Sequence, residues 1–276
     1  MQKQTPKWLD LFITAFGPSG LVALAWWAGA FHAQRIREWQ TSYPILEITG
    51  MAAVGKSTLV NNLWKLAGST DSETKTLSTC SMGALLAILA RTVNRPVVLE
   101  EIGYGEVGYD WNALSQCYTG GAVVRRVGDH TLEGFTFKGA LAFVGCEQQV
   151  LNQRIVNLHL LPQPRTDAHH KAVQALYDLH LGDFTDFLTT VQANREQVAY
   201  RLGHVGAYVD SLKEDTENDI SDTVARNHAQ LRVLLDLLAD LYAIPERAIH
   251  EAHALVSDMA WDHVTQKALM AGTSDH

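Results

Sequence analysis

Cysteine is scarce in this chain: Cys80, Cys117 and Cys146 are the only three among 276 residues. They are scattered without metal-like spacing, which excludes a disulfide framework and fits a reducing, cytoplasmic setting. Positive charge is short too. With 22 Lys and Arg against 30 Asp and Glu, the formal net charge is −8, so any contact with phosphates must come from a local basic feature. Long unbroken apolar runs are also missing. Leu9 to Phe31 is rich in Leu, Ala, Phe and Trp, but Gly17-Pro18-Ser19-Gly20 interrupts it, and the apolar run after Gly20 is shorter than a spanning helix needs. There is no basic n-region with a cleavage site. The expectation is no membrane association, with two helices packed on a core. The second is expected to run from Leu21 through Arg35, Ile36, Arg37 and Trp39, charged where it reaches the surface. Repeats and low-complexity tracts are absent. The His169-His170 and His250/His253 pairs lack a third ligand at useful spacing and read as surface histidines.

What is present is a globular composition, 47% hydrophobic and 19% charged, sufficient for one large domain or one with helical additions. The chain is organised around Pro44 to Val60. An apolar run, Ile45 to Ile48, leads into Gly50, four residues, then Gly55, Lys56 and Ser57. This is the phosphate-binding pattern G-x-x-x-x-G-K-[ST] in its required place, after a strand and opening a helix. The helix continues through Leu59, Val60, Leu63, Trp64 and Leu66 and stops at Gly68. The glycines let backbone N–H groups around Val54 and Gly55 turn inward as an anion nest, and the helix start at Lys56, Ser57 and Thr58 adds positive potential. Lys56 is placed for the β- and γ-phosphates of ATP, and Ser57 for Mg²⁺.

Ser69 to Thr79 is polar and reads as a loop. Ser81 to Val93 reads as a buried helix, broken by Arg95-Pro96. Val97-Val98-Leu99 then forms a strand ending in Glu100 and Glu101. In P-loop ATPases the neighbouring strand delivers an acid to the Mg²⁺ shell and often a second that orients the attacking water. Glu100 takes the first role here and Glu101 the second. A short helix over Trp111 to Tyr118 precedes the Thr119-Gly120-Gly121 turn. Ala122 to Val127 and Thr131 to Phe137 then form a hairpin carrying Arg125, Arg126 and His130, with Lys138 at its base. Ala140 to Val144 is a further buried strand. Gln153-Arg154 introduces the last one, Ile155 to Leu161. From Asp167 the pattern is helical. The expected segments are 1–43 (helical), 44–165 (P-loop core with the hairpin) and 166–276 (a helical lid).

The stretches LEITGMAAVGKSTLVNNLWKL, DWNALSQCYTGG, FKGALAF, QRIVNLHL and RNHAQL resemble superfamily 3 helicases and the ATPase portion of toprim-type phage and plasmid primase-helicases. The resemblance is specific over Pro44 to Leu161. It implies an α/β, AAA+-like P-loop NTPase core with a parallel sheet, assembled as a ring, usually hexameric, with ATP at subunit interfaces. It implies that Arg125, Arg126, His130 and, less directly, Lys138 contact a threaded single strand of DNA. Arg154, or its rival Arg165, falls where the family places a finger into the neighbour's ATP. Two positions depart from the pattern. Cys146 stands where an Asn usually senses the γ-phosphate, with Gln148 or Glu147 as substitutes, and the metal-side acid is Glu rather than Asp. Both imply weak or partner-stimulated turnover. No carboxylate cluster for nucleotide joining is present, so a primase, if involved, is a partner or lies elsewhere. Two other readings stay open: an assembly ATPase acting on protein partners, and a small-molecule P-loop kinase.

Overall fold

The computed structural model describes residues 3–69, 72–76, 78–100, 111–127, 131–145, 149–162 and 166–273. The chain begins with α1 (Lys7–Ala30) and α2 (Ala33–Gln40). Alternating elements follow: β1 (Ile45–Gly50), α3 (Lys56–Leu66), β2 (Lys75–Thr76), α4 (Met82–Arg91) and β3 (Val93–Glu100). Next come α5 (Trp111–Leu114), α6 (Gln116–Thr119), the strands β4 (Ala122–Val127) and β5 (Thr131–Thr136), then β6 (Lys138–Val144) and β7 (Ile155–Leu160). The remainder is helical: α7 (Asp167–Asp178), α8 (Thr185–Ala193), α9 (Arg195–Leu202), α10 (Val205–Asp215), α11 (Asp222–Leu241) and α12 (Glu246–Thr273).

Five strands form one sheet in the order β2-β3-β6-β1-β7, every neighbour parallel. Parallel sheets need cover on both faces, and this one has it. Leu46, Ile48, Val98, Ala142 and Leu158 face a core built with α1, α3 and the C-terminal helices. Ile45, Val97, Leu141 and Phe143 face a second core with α4, α6 and the hairpin. The first core is continuous through all three segments expected from the sequence. β4 and β5 pair separately as an antiparallel ribbon.

The acidic strand is not the neighbour of the P-loop strand, contrary to the sequence expectation. β6 is inserted between them, pairing with β1 on one side and β3 on the other. β3 also begins earlier than expected, at Val93, and absorbs Pro96 through a register shift between Val93 and Pro96, with Asn94 at φ 47°. A residue without an N–H is tolerated at such an irregularity. The polar loop at 69–79 contributes β2, which pairs with the end of β3.

The N-terminal expectation is corrected in detail. By length and composition α1 could cross a membrane, but it is kinked at Gly17 (φ 55°, ψ −148°). From Leu21 to Ala30 it is buried by the chain's own helices and sheet. The helix does not continue to Trp39; it ends at Ala30, and α2 starts afresh. Arg37 is not at the surface either. Its Nε and Nη2 donate to the Tyr118 and Cys117 carbonyls (3.1 and 2.6 Å), and burial lowers its pKa to about 10. Those carbonyls end α6 and need donors, which fixes α2 to the glycine turn.

Aromatic packing ties α1 to the P-loop helix. Trp27 meets Trp64 of α3 edge-on, with centroids 5.0 Å apart. Trp26 Nε1 donates to the Pro44 carbonyl (2.8 Å), and Tyr43 donates its hydroxyl proton to the Trp26 carbonyl (2.5 Å). Gly29 makes this close approach possible: a Cβ there would lie 2.3 Å from the Tyr43 hydroxyl and 2.7 Å from Leu234 Cδ1. Gly29→Ala is therefore expected to cost about 1–3 kcal/mol by overpacking. Urea unfolding followed by tryptophan fluorescence would read it as a lower midpoint at unchanged slope.

Candidate functional site

The site stands at the C-terminal end of β1, where open α/β sheets place their ligands. Gly50 has φ 135°, and a Cβ on it would meet the Leu160 carbonyl at 2.6 Å, so the loop can leave the sheet only with glycine there. Ala53 (φ 59°) and Gly55 (φ 104°) are also left-handed, which curls the backbone into a concave nest. Around a Cβ on Gly55 there is nothing within 4 Å, so the loop faces open space. Val54 and Thr58 border that space. No side chain caps α3, so its first amides are left for an anion.

Lys56 Nζ folds back over the loop and donates to the Gly50 and Met51 carbonyls (2.7 and 2.9 Å). Ser57 Oγ donates to Glu100 Oε1 at 2.7 Å. The sequence separates these two residues by 43 positions, and β3 and α3 bring them to the mouth of the same loop. A hydroxyl and a carboxylate at this spacing are hard oxygen donors, the set that suits Mg²⁺ completed by waters and phosphate oxygens. The residues present therefore fit a magnesium nucleotide. Glu101, the water-orienting residue of the sequence reading, lies outside the described residues, as do His130, Arg165 and the γ-phosphate sensor candidates Cys146, Glu147 and Gln148.

Arg154 is not beside the loop. It ends a 3-10 turn (Gln149–Arg154) just before β7, and the β7 ladder pairs Ile155 with Ile45 and Leu160 with Gly50. Arg154 stands six residues before Leu160, and at roughly 3.3 Å each these put it about 20 Å along the sheet from Gly50. Its surroundings are well defined. Asn227, fully buried on α11, donates Nδ2 to the Gln153 carbonyl (3.0 Å) and accepts from the Tyr118 hydroxyl (2.7 Å). Burial raises the Tyr118 pKa, opposed in part by Arg226 and Arg154.

The hairpin leaves the opposite end of the sheet from the loop, since β5 leads directly into the start of β6. Exposed Lys138 pairs there with Val93. Arg125 lies opposite Glu133 and binds it through Nε and Nη2 (3.0 and 2.6 Å), with its guanidinium 5.9 Å from the Phe135 ring centre. Position 126 lies opposite Leu132, on the face that carries exposed Val124 and Leu132. The side chain of Arg126 lies outside the described residues.

Two features escaped the sequence reading. Glu47 interrupts the apolar run of β1 and is buried. Asn157 Nδ2 donates to its Oε2 (3.1 Å), Thr49 Oγ1 donates to Asn157 Oδ1 (2.8 Å), and His159 Nδ1 lies 3.1 Å from Thr49 Oγ1. This polar chain locks β1 against β7 directly below Gly50. The second is a cavity of about 210 Å³ beside the loop, bordered by Phe16 of α1, Val54, Gly55, Leu161, and His169 and Val173 of α7. Its only sequence signals were the glycine-proline break after Phe16 and a histidine in the first turn of α7. Neither is specific.

No protein-family model matches this chain, and no curated protein matches it. Among solved structures, one described as an SCCmec type IV Cch active helicase superposes with a TM-score of 0.68 at 13% identity. The match covers 96% of this chain and 52% of that one; the chain thus spans about half of that helicase's length. A JCV helicase with a bound thiazolopyridine-phenoxyphenyl acetamide aligns over 87% of this chain and 60% of that one, at 12% identity and a TM-score of 0.30, too loose to carry an argument. The likeness to the Cch structure is one of fold: a parallel five-stranded sheet flanked by helices, consistent with a P-loop NTPase core.

Proposed function

We propose that this chain is an ATP-hydrolysing motor of helicase type, working as a homo-oligomeric ring of hexamer size on single-stranded or forked DNA. The replication system of a phage, plasmid or mobile element is the setting, with a primase as a candidate partner protein. The observation that carries the reading is the apposition of Ser57 and Glu100 at the mouth of a loop that only glycine can form at Gly50. The loop amides and Lys56 hold the triphosphate. Ser57 and Glu100 hold Mg²⁺, which when bound neutralises charge on the β- and γ-phosphates. Glu101, the next residue, orients water. Arg154 serves the ATP of an adjoining copy. The helicase fold of the Cch structure supports the class, and the hairpin supplies the local basic feature that a chain of net charge −8 needs to hold DNA.

Arg125 and Arg126 are not equal in this reading. Arg125 is already committed to Glu133, so Arg126 is expected to carry more of the phosphate contact. Arg126→Ala should weaken single-stranded DNA binding and lower the salt slope of log K by about 1, while Arg125→Ala changes the slope less. Fluorescence anisotropy at several salt concentrations measures both. ATP turnover that DNA stimulates, and that Arg126→Ala uncouples, supports the motor. Turnover indifferent to DNA would favour the other reading, an assembly ATPase acting on protein partners. The exposed Val124 and Leu132 beside position 126 favour that reading, because an apolar ribbon face suits protein contact. Nothing on the described surface favours a small-molecule kinase.

A further inference from the structure

We propose that the hollow between α2 and α9, walled by Arg35, Arg195 and Asn94, binds the phosphodiester backbone of a single nucleic-acid strand, with a base stacked on the Arg35–Trp39 pair. This rests on the reading of the chain as a motor on single-stranded DNA. It adds a contact apart from the hairpin arginines, at the same end of the sheet.

The walls of the hollow are fixed by contacts at both ends of α2. His32, buried just before α2, donates Nε2 to the Val191 carbonyl of α8 (2.9 Å). Gln40, at the far end of α2, donates Nε2 to the carbonyl of Leu202, the last residue of α9 (3.1 Å). Asn94, at φ 47°, accepts the Gln34 backbone N–H on its Oδ1 (3.1 Å), which ties the start of β3 to α2. Asn94 follows Val93, the partner of Lys138. The hollow therefore opens at the end of the sheet from which the hairpin leaves, opposite the P-loop. Its volume is about 370 Å³. Roughly twelve waters of about 30 Å³ would fill that space, so a phosphodiester with its sugar fits.

Its charge is unbalanced. Arg35 and Arg195 are exposed in its wall. Among the described residues neither pairs with a carboxylate, whereas Arg95, Arg125, Arg201, Arg232 and Arg247 each do. Glu38 also lines the hollow, where it accepts from Gln34 Nε2 (3.4 Å). Both guanidiniums bear on His32. Burial does most to lower its pKa, the bond to the Val191 carbonyl opposes this, and the charges of Arg195 and Arg35 lower it further. Two cations close enough to depress the same group are both stabilised by one anion lodged beside them. A phosphate suits them, because the guanidinium fork matches its oxygens. The platform favours a nucleic-acid strand over an acidic peptide. Arg35 lies over the ring of exposed Trp39, 4.8 Å from its centre. A base extends such a flat stack, and a carboxylate side chain does not.

Anisotropy of a labelled oligothymidine, with Mg²⁺ and a non-hydrolysable ATP analogue at several salt concentrations, tests this. Each phosphate contact to a single strand adds about 0.7 to the slope of log K against log salt. Arg35→Ala combined with Arg195→Ala should therefore lower the slope by about 1.4 and weaken binding about tenfold or more at about 0.1 M salt. Trp39→Ala should weaken it about fivefold or more, the worth of one stacked base, at an unchanged slope. An unchanged slope in the double variant overturns the site, as does full affinity in Trp39→Ala. Should the double variant lose its fold by circular dichroism, Arg35→Lys with Arg195→Lys keeps both charges and must keep the wild-type slope. Polyglutamate of equal charge is the control. If it binds wild type as tightly as the oligonucleotide and loses as much in the double variant, the hollow takes an acidic peptide and the nucleic-acid assignment falls. Binding that Arg126→Ala weakens and the α2 and α9 variants do not would remove the hollow and leave the hairpin standing. If wild type binds no single strand, the motor reading fails and the hollow with it.

Discussion

Arg154→Ala is expected to lower ATP turnover about a thousandfold or more, the scale of a lost arginine finger, while ATP still binds within a few-fold of wild type. The expectation comes from position. Arg154 precedes β7, and the β1–β7 register sets it at the end of the sheet away from Gly50. A side chain cannot reach its own loop from there, so a direct contact with a triphosphate would have to be made in a second copy. This allows a sharper experiment than the single variant. A Lys56→Ala subunit keeps its arginine and lacks a working loop; an Arg154→Ala subunit is the reverse. Mixed before assembly, the two inactive proteins should recover a measurable share of turnover. No recovery, with rings intact by sedimentation, would leave Arg154 as a local support for the Asn227–Gln153 contact. A falling melting temperature in Arg154→Ala would point the same way.

Lys56→Ala should remove turnover by about 10²–10³-fold or more, on the scale of losing one preorganised positive contact to developing charge, and should weaken ATP binding as well. Lys56 now donates to the Gly50 and Met51 carbonyls, both at the loop itself. Its ammonium is therefore held across the mouth that the phosphates would enter, and a short swing carries it to them. Lys56→Arg is not expected to rescue. A planar guanidinium needs a wider approach than an ammonium on a flexible stem. Melting temperature should barely change in either variant, because the side chain supports no core. Substantial turnover in Lys56→Ala would show that the loop is not where hydrolysis occurs.

The strand, glycine loop and helix of Ile45 to Leu66 were legible in the sequence because every part of them is local. The strand, the glycines, the lysine and the helix succeed one another within about twenty residues, and each obeys a short-range rule. The buried second half of α1 was legible as well, from its apolar composition. Its break at Ala30 was not, nor the burial of Arg37, whose side chain answers to the carbonyls of α6, some eighty residues away. Glu47 was passed over inside an apolar run, since its partner Asn157 is on another strand. His169 read as a surface histidine for the same kind of reason. Beside Val173 and His170 of its own helix, it shares a cavity with Phe16 of α1 and the loop.

By itself, the sequence determined that this chain carries a glycine-rich loop of G-x-x-x-x-G-K-[ST] pattern after a strand and before a helix, an acidic strand end, a ribbon bearing Arg125 and Arg126 and a helical C-terminal part. Those come from backbone preferences and periodicities that act over a few residues. Only the tertiary structure decided that β6 stands between the loop strand and the acidic strand, that Glu100 nevertheless reaches Ser57, and that Arg125 is tied to Glu133. It alone showed a cavity open beside the loop against Phe16 and His169. Strand order and side-chain partnership arise from how distant segments bury each other's apolar faces, and local spacing carries no record of them.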